Sequence, residues 1–335
     1  MKPKVLVLVQ GKFKKDLLPD CMTDRLGSFA DYELLVDGDK LSQDEFVRHF
    51  KGVDGILTSW EIRSWDREVL QQTGRLKIIS HIGGMVRFFL PEEIFTLKPE
   101  VVICNSSNVM AKPVAEYALC SSLACLRHLW YFREWVAQGE NWDDYEPDKN
   151  VSLLRKKVGV IGLGQIAREF IRLARPFKVS FHVFSKHLSD EEARKEGFVK
   201  SSLDDIFSSC DVIILCAANT PENRHMISRR LLKRIKPGAV FVNIARGALV
   251  DEQALIQELE TGRFMAAIDV TDPEPPLAEN KLRRLPNVLL TPHIAGPTPE
   301  QRTWMVEEAV DNLQAFFRGK AVRGVIDQRR YEYMA

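Results

Sequence analysis

The chain has 335 residues, 45% of them apolar, and its 47 basic and 46 acidic side chains leave a net charge of +1. That length suggests two domains with sizeable cores, and the charge balance offers no basic excess for a nucleic-acid or membrane partner. Six cysteines are scattered without a C-x-x-C pair, which fits buried thiols in a reducing compartment rather than disulfides or a zinc site.

The N-terminus opens as an apolar run, Val5 to Val9, without a signal-peptide pattern, and no apolar run approaches the length of a membrane span. The expectation is a cytoplasmic protein. Residues 1–105 alternate strand and helix patterns. Strands are expected at Val5–Val9, Gly55–Ser59, Leu76–Ser80 and Val101–Cys104, with helices at Ser42–Phe50 and Asp66–Thr73 among those between. Such alternation implies a parallel sheet covered on both faces, with ligands at the carboxyl ends of its strands. Ser80-His-Ile-Gly-Gly-Met85 follows the third strand. Gly83 and Gly84 are therefore candidate substrate contacts, able to present backbone N–H groups to an anion.

Asn108 to Gln138 reads as one long helix, capped by Asn108, with Pro113 in its first turn. Its apolar surface predicts burial between domains or against another subunit. The polar stretch Gly139 to Asn150 reads as a loop, where Trp142 is a candidate subunit anchor.

A second series of strands is expected at Val158–Ile161, Val179–Phe184, Asp211–Cys216, Ala239–Asn243, Met265–Asp269 and Val288–Thr291. The fold class is therefore α/β, with two doubly wound parallel-sheet domains. An amphipathic helix, Pro299–Arg318, and a short apolar run, Val322–Ile326, close the chain.

The first strand of this second series runs into Gly162-Leu-Gly164-Gln-Ile-Ala167, a G-x-G-x-x-A fingerprint at the head of a helix. Gly162 permits a tight turn, Gly164 lets the backbone approach a pyrophosphate, and Ala167 lets the helix pack closely. The cofactor expected is NAD(P). About 20 residues further on, NAD-binding domains place an acid against the ribose hydroxyl. Ser185 and Lys186 stand there instead, which favours a 2′-phosphate and hence NADP over NAD.

Three polar groups follow successive strands: Arg246, then Asp269 and Glu274, then His293. Arginine can hold a carboxylate bidentately and polarise a carbonyl, and histidine can protonate an alkoxide formed by hydride addition. A carboxylate beside that histidine fixes its orientation and favours its charged form.

The motifs N-I-A-R-G-A-L-V-D-E-Q-A-L (243–255), A-A-I-D-V-T-D-P-E-P (266–275) and T-P-H-I-A-G (291–296) resemble the signatures of the D-isomer-specific 2-hydroxyacid dehydrogenase family. V-G-V-I-G-L-G-Q-I-A (158–167), T-P-E-N-R-H-M-I (220–227) and N-L-Q-A-F-F-R-G-K (312–320) agree, so the resemblance runs over nearly the whole chain. It implies that Arg246 binds the substrate carboxylate, His293 is the general acid/base and Glu274 is its partner. Asp269 then lies near the nicotinamide carboxamide, with Gln165 and Ile166 at the pyrophosphate. Thr220, Ile244, Ala245 and Gly296 lie in these motifs and complete the candidate cofactor contacts.

The resemblance further implies a discontinuous substrate-binding domain of flavodoxin-like type, residues 1–105 plus 297–335. A Rossmann cofactor domain, residues 106–296, is inserted in it, with a cleft between. It also implies a homodimer joined through the 108–138 helix, and no metal. The family's substrate loop usually reads G-x-G-x-D, whereas this chain has Gly83-Gly-Met-Val-Arg87 followed by Phe88-Phe89. Ala218 replaces a usual proline, and Arg155 stands where the family prefers glycine. Pocket shape is expected from Trp60, His81, Met85 and Arg87.

The expected function is hydride transfer between NAD(P)H and a small 2-oxo acid, of the glyoxylate or hydroxypyruvate kind, to form a D-2-hydroxy acid. The alternatives are a dinucleotide-sensing module of the same fold and a formate dehydrogenase. The intact Arg246, Glu274 and His293 argue against the first. Glu274 argues against the second, which uses glutamine there.

Overall fold

A computed structural model describes residues 1–10, 14–36 and 38–334. The chain divides into two compact units, residues 1–110 with 297–335, and residues 111–296.

The first unit is built on five strands, β1 (Lys4–Leu8), β2 (Asp31–Leu35), β3 (Gly55–Thr58), β4 (Ile78–His81) and β5 (Val102–Asn105). All are parallel, in the order β2-β1-β3-β4-β5. This is the flavodoxin order, whose ligand edge lies where β1 and β3 part in opposite directions. Side chains alternate faces along each strand. Leu6 and Leu8 join a core with Phe46, Phe50 and Trp65, while Val5 and Val7 join one with Met305, Val306, Ala309, Val310 and Leu313. Those last five form the buried stripe of the helix Pro299–Phe317. β2 is the strand the sequence pattern did not reveal. It is an edge strand, exposed along most of its length, so no buried apolar run marks it. The apolar run Val322–Ile326 makes one antiparallel bridge, Val325 to Cys104, and no strand.

The second unit holds β6 (Lys157–Ile161), β7 (Ser180–Phe184), β8 (Val199–Lys200), β9 (Val212–Leu215), β10 (Val240–Asn243), β11 (Met265–Ile268) and β12 (Val288–Leu290). All are parallel, in the order β12-β11-β10-β9-β6-β7-β8. From β8 to β11 this is the dinucleotide-binding order, reversing between β6 and β9. Val212, Ile214, Val240 and Val242 face one core, and Ile213, Leu215 and Phe241 face the other. The two-residue β8 went unforeseen because both its residues are exposed.

The long helix departs from expectation. It starts at Ser107 and ends at Leu126, and Pro113 lies buried inside it rather than in its first turn. Asn105, not Asn108, reaches the first N–H, since its Oδ1 accepts from Ser107 N at 3.4 Å. His128 turns left-handed (φ 48°, ψ 42°) and a separate helix, Leu129–Ala137, follows with no buried residue. Within this chain the buried residues of the expected long helix end at Leu126. By length and composition Ser107–Leu126 could cross a membrane, a match the sequence reading did not anticipate; half of it is buried inside the fold.

Candidate active site

The glycine turn fits a dinucleotide. Gly162 sits at φ +90°, and a Cβ there would lie 2.8 Å from the Ala217 Cα and the Cys216 carbonyl. No other residue suits that backbone and that contact. Gly164 is the N-cap of the helix Gln165–Ala174, has no side-chain cap, and a Cβ on it would meet nothing within 4 Å. The helix therefore offers its first N–H groups to open space, as pyrophosphate binding requires. Ala167 is fully buried behind it.

Beyond β7, Ser185 is half-buried and Lys186 exposed. The loop after β9 brings Glu222 close. The Thr220 hydroxyl, with a smaller contribution from Lys186, holds the Glu222 carboxyl below its usual range. Lys186 thus faces a carboxylate that nothing in the linear sequence signalled.

The turn after β10 is clamped by the buried Asn243, whose Oδ1 accepts from Ala245 N at 3.1 Å and whose Nδ2 donates to the Arg246 carbonyl at 3.2 Å. The Arg246 guanidinium is half-buried and donates to the Ala245 carbonyl at 2.7 Å. Burial lowers its pKa, opposed by the charge of Glu274. Next in the chain, a Cβ at Gly247 would overlap the Thr271 carbonyl carbon. The loops after β10 and β11 are therefore in backbone contact.

His293 is brought to Glu274, with Nδ1 2.5 Å from Glu274 Oε1. Nδ1 is thereby committed, which leaves Nε2 for a ligand. His293 adopts φ +53°, a left-handed conformation costly for a non-glycine residue unless its surroundings enforce it. Asp269 enforces it. Its carbonyl accepts from His293 N at 3.0 Å. Its buried carboxylate accepts from Thr291 Oγ1 (2.7 Å), Ile294 N (2.8 Å) and Ala295 N (2.9 Å). Tyr117 Oη lies 2.5 Å from Thr291 Oγ1, and because Thr291 donates to Asp269, Tyr117 is the donor in that pair. Asp269 is thus engaged in holding the His293 turn. Sequence reading could not find Tyr117, which is 174 positions from Thr291.

In the first unit, the loop after β4 is tied down through its carbonyls. Ser106 N donates to the His81 and Gly83 carbonyls, each at 3.1 Å, and Asn105 Nδ2 donates to the Gly84 carbonyl. A trans peptide points its C=O and N–H in opposite directions. The Gly84 and Met85 N–H groups therefore face away from these ties, and neither has an acceptor among the described residues. Trp60 and Met85 are half-buried. His81 is fully buried beneath the loop, and a Cβ at Gly83 would overlap its Nε2. Arg87 donates to the carbonyls of Glu332 and Met334. Arg155, in the second unit, adopts φ +59°, which accounts physically for the family's glycine at that place. No cluster of histidine, cysteine and carboxylate side chains among the described residues could hold a metal ion.

A sequence profile for the NAD binding domain of D-isomer specific 2-hydroxyacid dehydrogenases matches residues 119–295. The glyoxylate reductase of Pyrococcus furiosus is 30% identical over 332 residues, which cover 96% of this chain and 94% of that one. The chain belongs to the D-isomer specific 2-hydroxyacid dehydrogenase family. It is an NAD(P)-dependent oxidoreductase acting between 2-oxo and 2-hydroxy acids, and the formate dehydrogenase alternative is not favoured. The fold agrees. A protein of Pyrococcus horikoshii OT3 superimposes with TM-score 0.78 at 27% identity, over 99% of this chain and 97% of that one. The NADPH-dependent glyoxylate/hydroxypyruvate reductase of Sinorhizobium meliloti, solved with NADP and malonate, gives TM-score 0.73 at 25% identity, over 100% and 99% of the two chains.

Proposed function

We propose that this dehydrogenase reduces a small 2-oxo acid of the glyoxylate or hydroxypyruvate type with NADPH, and that it works as a cytoplasmic homodimer. The observation that carries the reaction is the Glu274–His293 pair, 2.5 Å apart, with Arg246 within electrostatic reach of the same carboxylate. When bound, the dinucleotide supplies the hydride. Arg246 holds the acid's carboxylate and draws electron density from the adjacent carbonyl. His293 gives the proton on Nε2 to the oxygen that becomes the hydroxyl, while Glu274 accepts from Nδ1 and so fixes the orientation of the ring. Gly162, Gly164, Gln165 and Ile166 receive the pyrophosphate at the helix N-terminus. Thr220, Ile244, Ala245 and Gly296 line the rest of the dinucleotide's path, with Asp269 stabilising the loop at its nicotinamide end. Gly83 and Gly84 supply the loop whose N–H groups take a carboxylate.

Ser185 and Lys186 support NADPH, since no acid stands at the end of β7 to repel a 2′-phosphate. The nearby Glu222 works against it by offsetting the Lys186 charge. The relatives named as glyoxylate reductases support the substrate size. A homodimer is supported by the apolar, unburied helix Leu129–Ala137 and by Trp142, which is 75% exposed. The six free cysteines support a reducing compartment. The experiment is initial-rate measurement with NADPH and NADH over a panel of 2-oxo acids, repeated with Lys186→Ala and Glu222→Gln. NADPH preference that falls in the first variant and grows in the second is the expected result. NADH preference would reject the cofactor assignment. Tight dinucleotide binding without turnover on any acid would point to a binding module instead.

A further inference from the structure

The loop after β4 is fastened from behind by the C-terminal segment. Arg330, on the short helix Gln328–Glu332, donates through Nη2 to Ser107 Oγ at 2.8 Å and to Asn105 Oδ1 at 3.4 Å. Its Nη1 donates to the Val325 carbonyl at 2.7 Å. A guanidinium only donates, so Asn105 must turn its oxygen to Arg330 and its amide hydrogens to the Gly84 carbonyl, the contact observed. Farther along the loop, Arg87 donates to the carbonyls of Glu332 at 3.1 Å and Met334 at 3.4 Å, with its guanidinium 5.5 Å from the Tyr331 ring centre. The Tyr331 hydroxyl donates to the Leu90 carbonyl at 2.6 Å. Residues 325–334 therefore grip the loop at Gly84 through Asn105, at Arg87 and at Leu90.

We propose that Arg330 is a positioning residue for substrate recognition: through Asn105 it fixes the plane of the Gly84–Met85 peptide and so aims the Met85 N–H at the substrate's carboxylate. The proposal rests on the reading that the loop of Gly83 and Gly84 receives that carboxylate. Asn105 Oδ1 also accepts from Ser107 Oγ at 2.9 Å and Ser107 N at 3.4 Å, and Arg330 donates to that same hydroxyl, so without Arg330 the Asn105 amide loses the cation and the anchored hydroxyl that together orient it, and its hold on the Gly84 carbonyl loosens. Rotation of that peptide would bring a carbonyl oxygen toward an anion and withdraw the N–H. Hydride transfer, which is assigned to residues of the second unit, is untouched by such a rotation.

The test uses the full-length enzyme with the 2-oxo acid it turns over fastest, glyoxylate being the expected one. It reads KM, kcat, the Kd of NADPH and the melting temperature for Arg330→Ala, Arg330→Lys, Asn105→Asp and Met85→Pro. Arg330→Ala is expected to raise KM about tenfold while kcat and the NADPH Kd stay within about twofold, and lysine restores part of the loss. Asn105→Asp keeps the pairing with Arg330, and with it the fold, but sets a carboxylate oxygen against the Gly84 carbonyl. It should raise KM at least as much, with a lowered melting temperature from the acceptor–acceptor contact. Met85→Pro deletes the N–H itself and tests the underlying reading. An unchanged KM in Met85→Pro removes the loop from recognition, and the proposal falls with it. A raised KM there, with KM unchanged in both Arg330→Ala and Asn105→Asp, leaves the reading intact and overturns the role of Arg330. A lowered melting temperature in Arg330→Ala with KM unchanged overturns it too, as a purely structural effect.

Discussion

The backbone N–H of His293 donates to the carbonyl of Asp269 at 3.0 Å, and the Asp269 carboxylate accepts three further hydrogen bonds from residues 291–295. The proposed proton donor is thus mounted on a turn wound around one buried carboxylate. Asp269→Asn puts an amide donor where an N–H already donates. A cost of roughly 2–3 kcal/mol is expected, read by chemical denaturation, together with a fall in kcat that exceeds any change in KM. Tyr117→Phe removes only the last link of the chain through Thr291. About 1 kcal/mol and a severalfold loss of kcat should follow. Full kcat in Tyr117→Phe would detach that hydroxyl from the His293 turn.

Glu274→Gln keeps the shape of the partner of His293 and removes its charge. An amide can present its NH2 group to Nδ1 as readily as its oxygen, so the ring loses the fixed acceptor that holds it. A fall in kcat of at least about tenfold, with the dinucleotide Kd unchanged, is expected from steady-state kinetics and fluorescence titration. Full kcat in Glu274→Gln would reject the role of Glu274 in holding His293.

Gly247→Ala places a methyl group into the Thr271 backbone. Because that contact is backbone on both sides, the loop carrying Glu274 has to move. Activity should fall by at least about tenfold even where dinucleotide binding, followed by fluorescence titration, is retained. Gly162→Ala is expected to show the reverse pattern, since its methyl would press on the Cys216–Ala217 backbone beside the fingerprint. There the binding constant should suffer first.

His81 is buried in contact with Thr58, Phe88 and Phe89, and desolvation alone depresses its pKa from 6.5 to about 3. The unfolded chain takes up a proton below pH 6.5 that the folded chain refuses. This contribution to stability is therefore complete above pH 6.5 and is lost as the pH falls toward 3. The loss approaches about 1.4 kcal/mol per pH unit. Replacing His81 by asparagine should flatten the dependence, so that the stability gap between the two proteins narrows by about 2 kcal/mol from pH 6.5 to pH 5. Parallel urea-unfolding curves over that range would show that His81 is not kept neutral.

Much of this architecture could be read along the chain because its strands are buried on both faces and stand out as continuous apolar runs. Val212–Leu215 and Val240–Asn243 are of that kind. The elements that escaped are those whose side chains are wet, Asp31–Leu35 and Val199–Lys200. Leu129–Ala137, expected to be buried between domains or against another subunit, has no residue buried within this chain. At the site, Arg246, Glu274 and His293 were legible because each directly follows a strand or lies a few residues beyond one. What supports them was not. Tyr117, Glu222 and Arg330 act across long sequence separations, and no local pattern records such a contact. Arg87 was visible as an oddity, but its partners lie in the last residues of the chain.

Arg246, Asp269 and Thr291 each stand just beyond β10, β11 and β12, and these strands are consecutive rungs of one hydrogen-bonded ladder. The lateral interval between the roots of the loops they begin is therefore set by interstrand pitch, about 4.8 Å. Substitutions that lengthen or recolour the outer loops can retune what is recognised without rescaling that interval. The loops that carry Arg246, Glu274 and His293 spring from roots whose spacing is a property of the backbone itself, and new specificities can be tried over an unchanged frame.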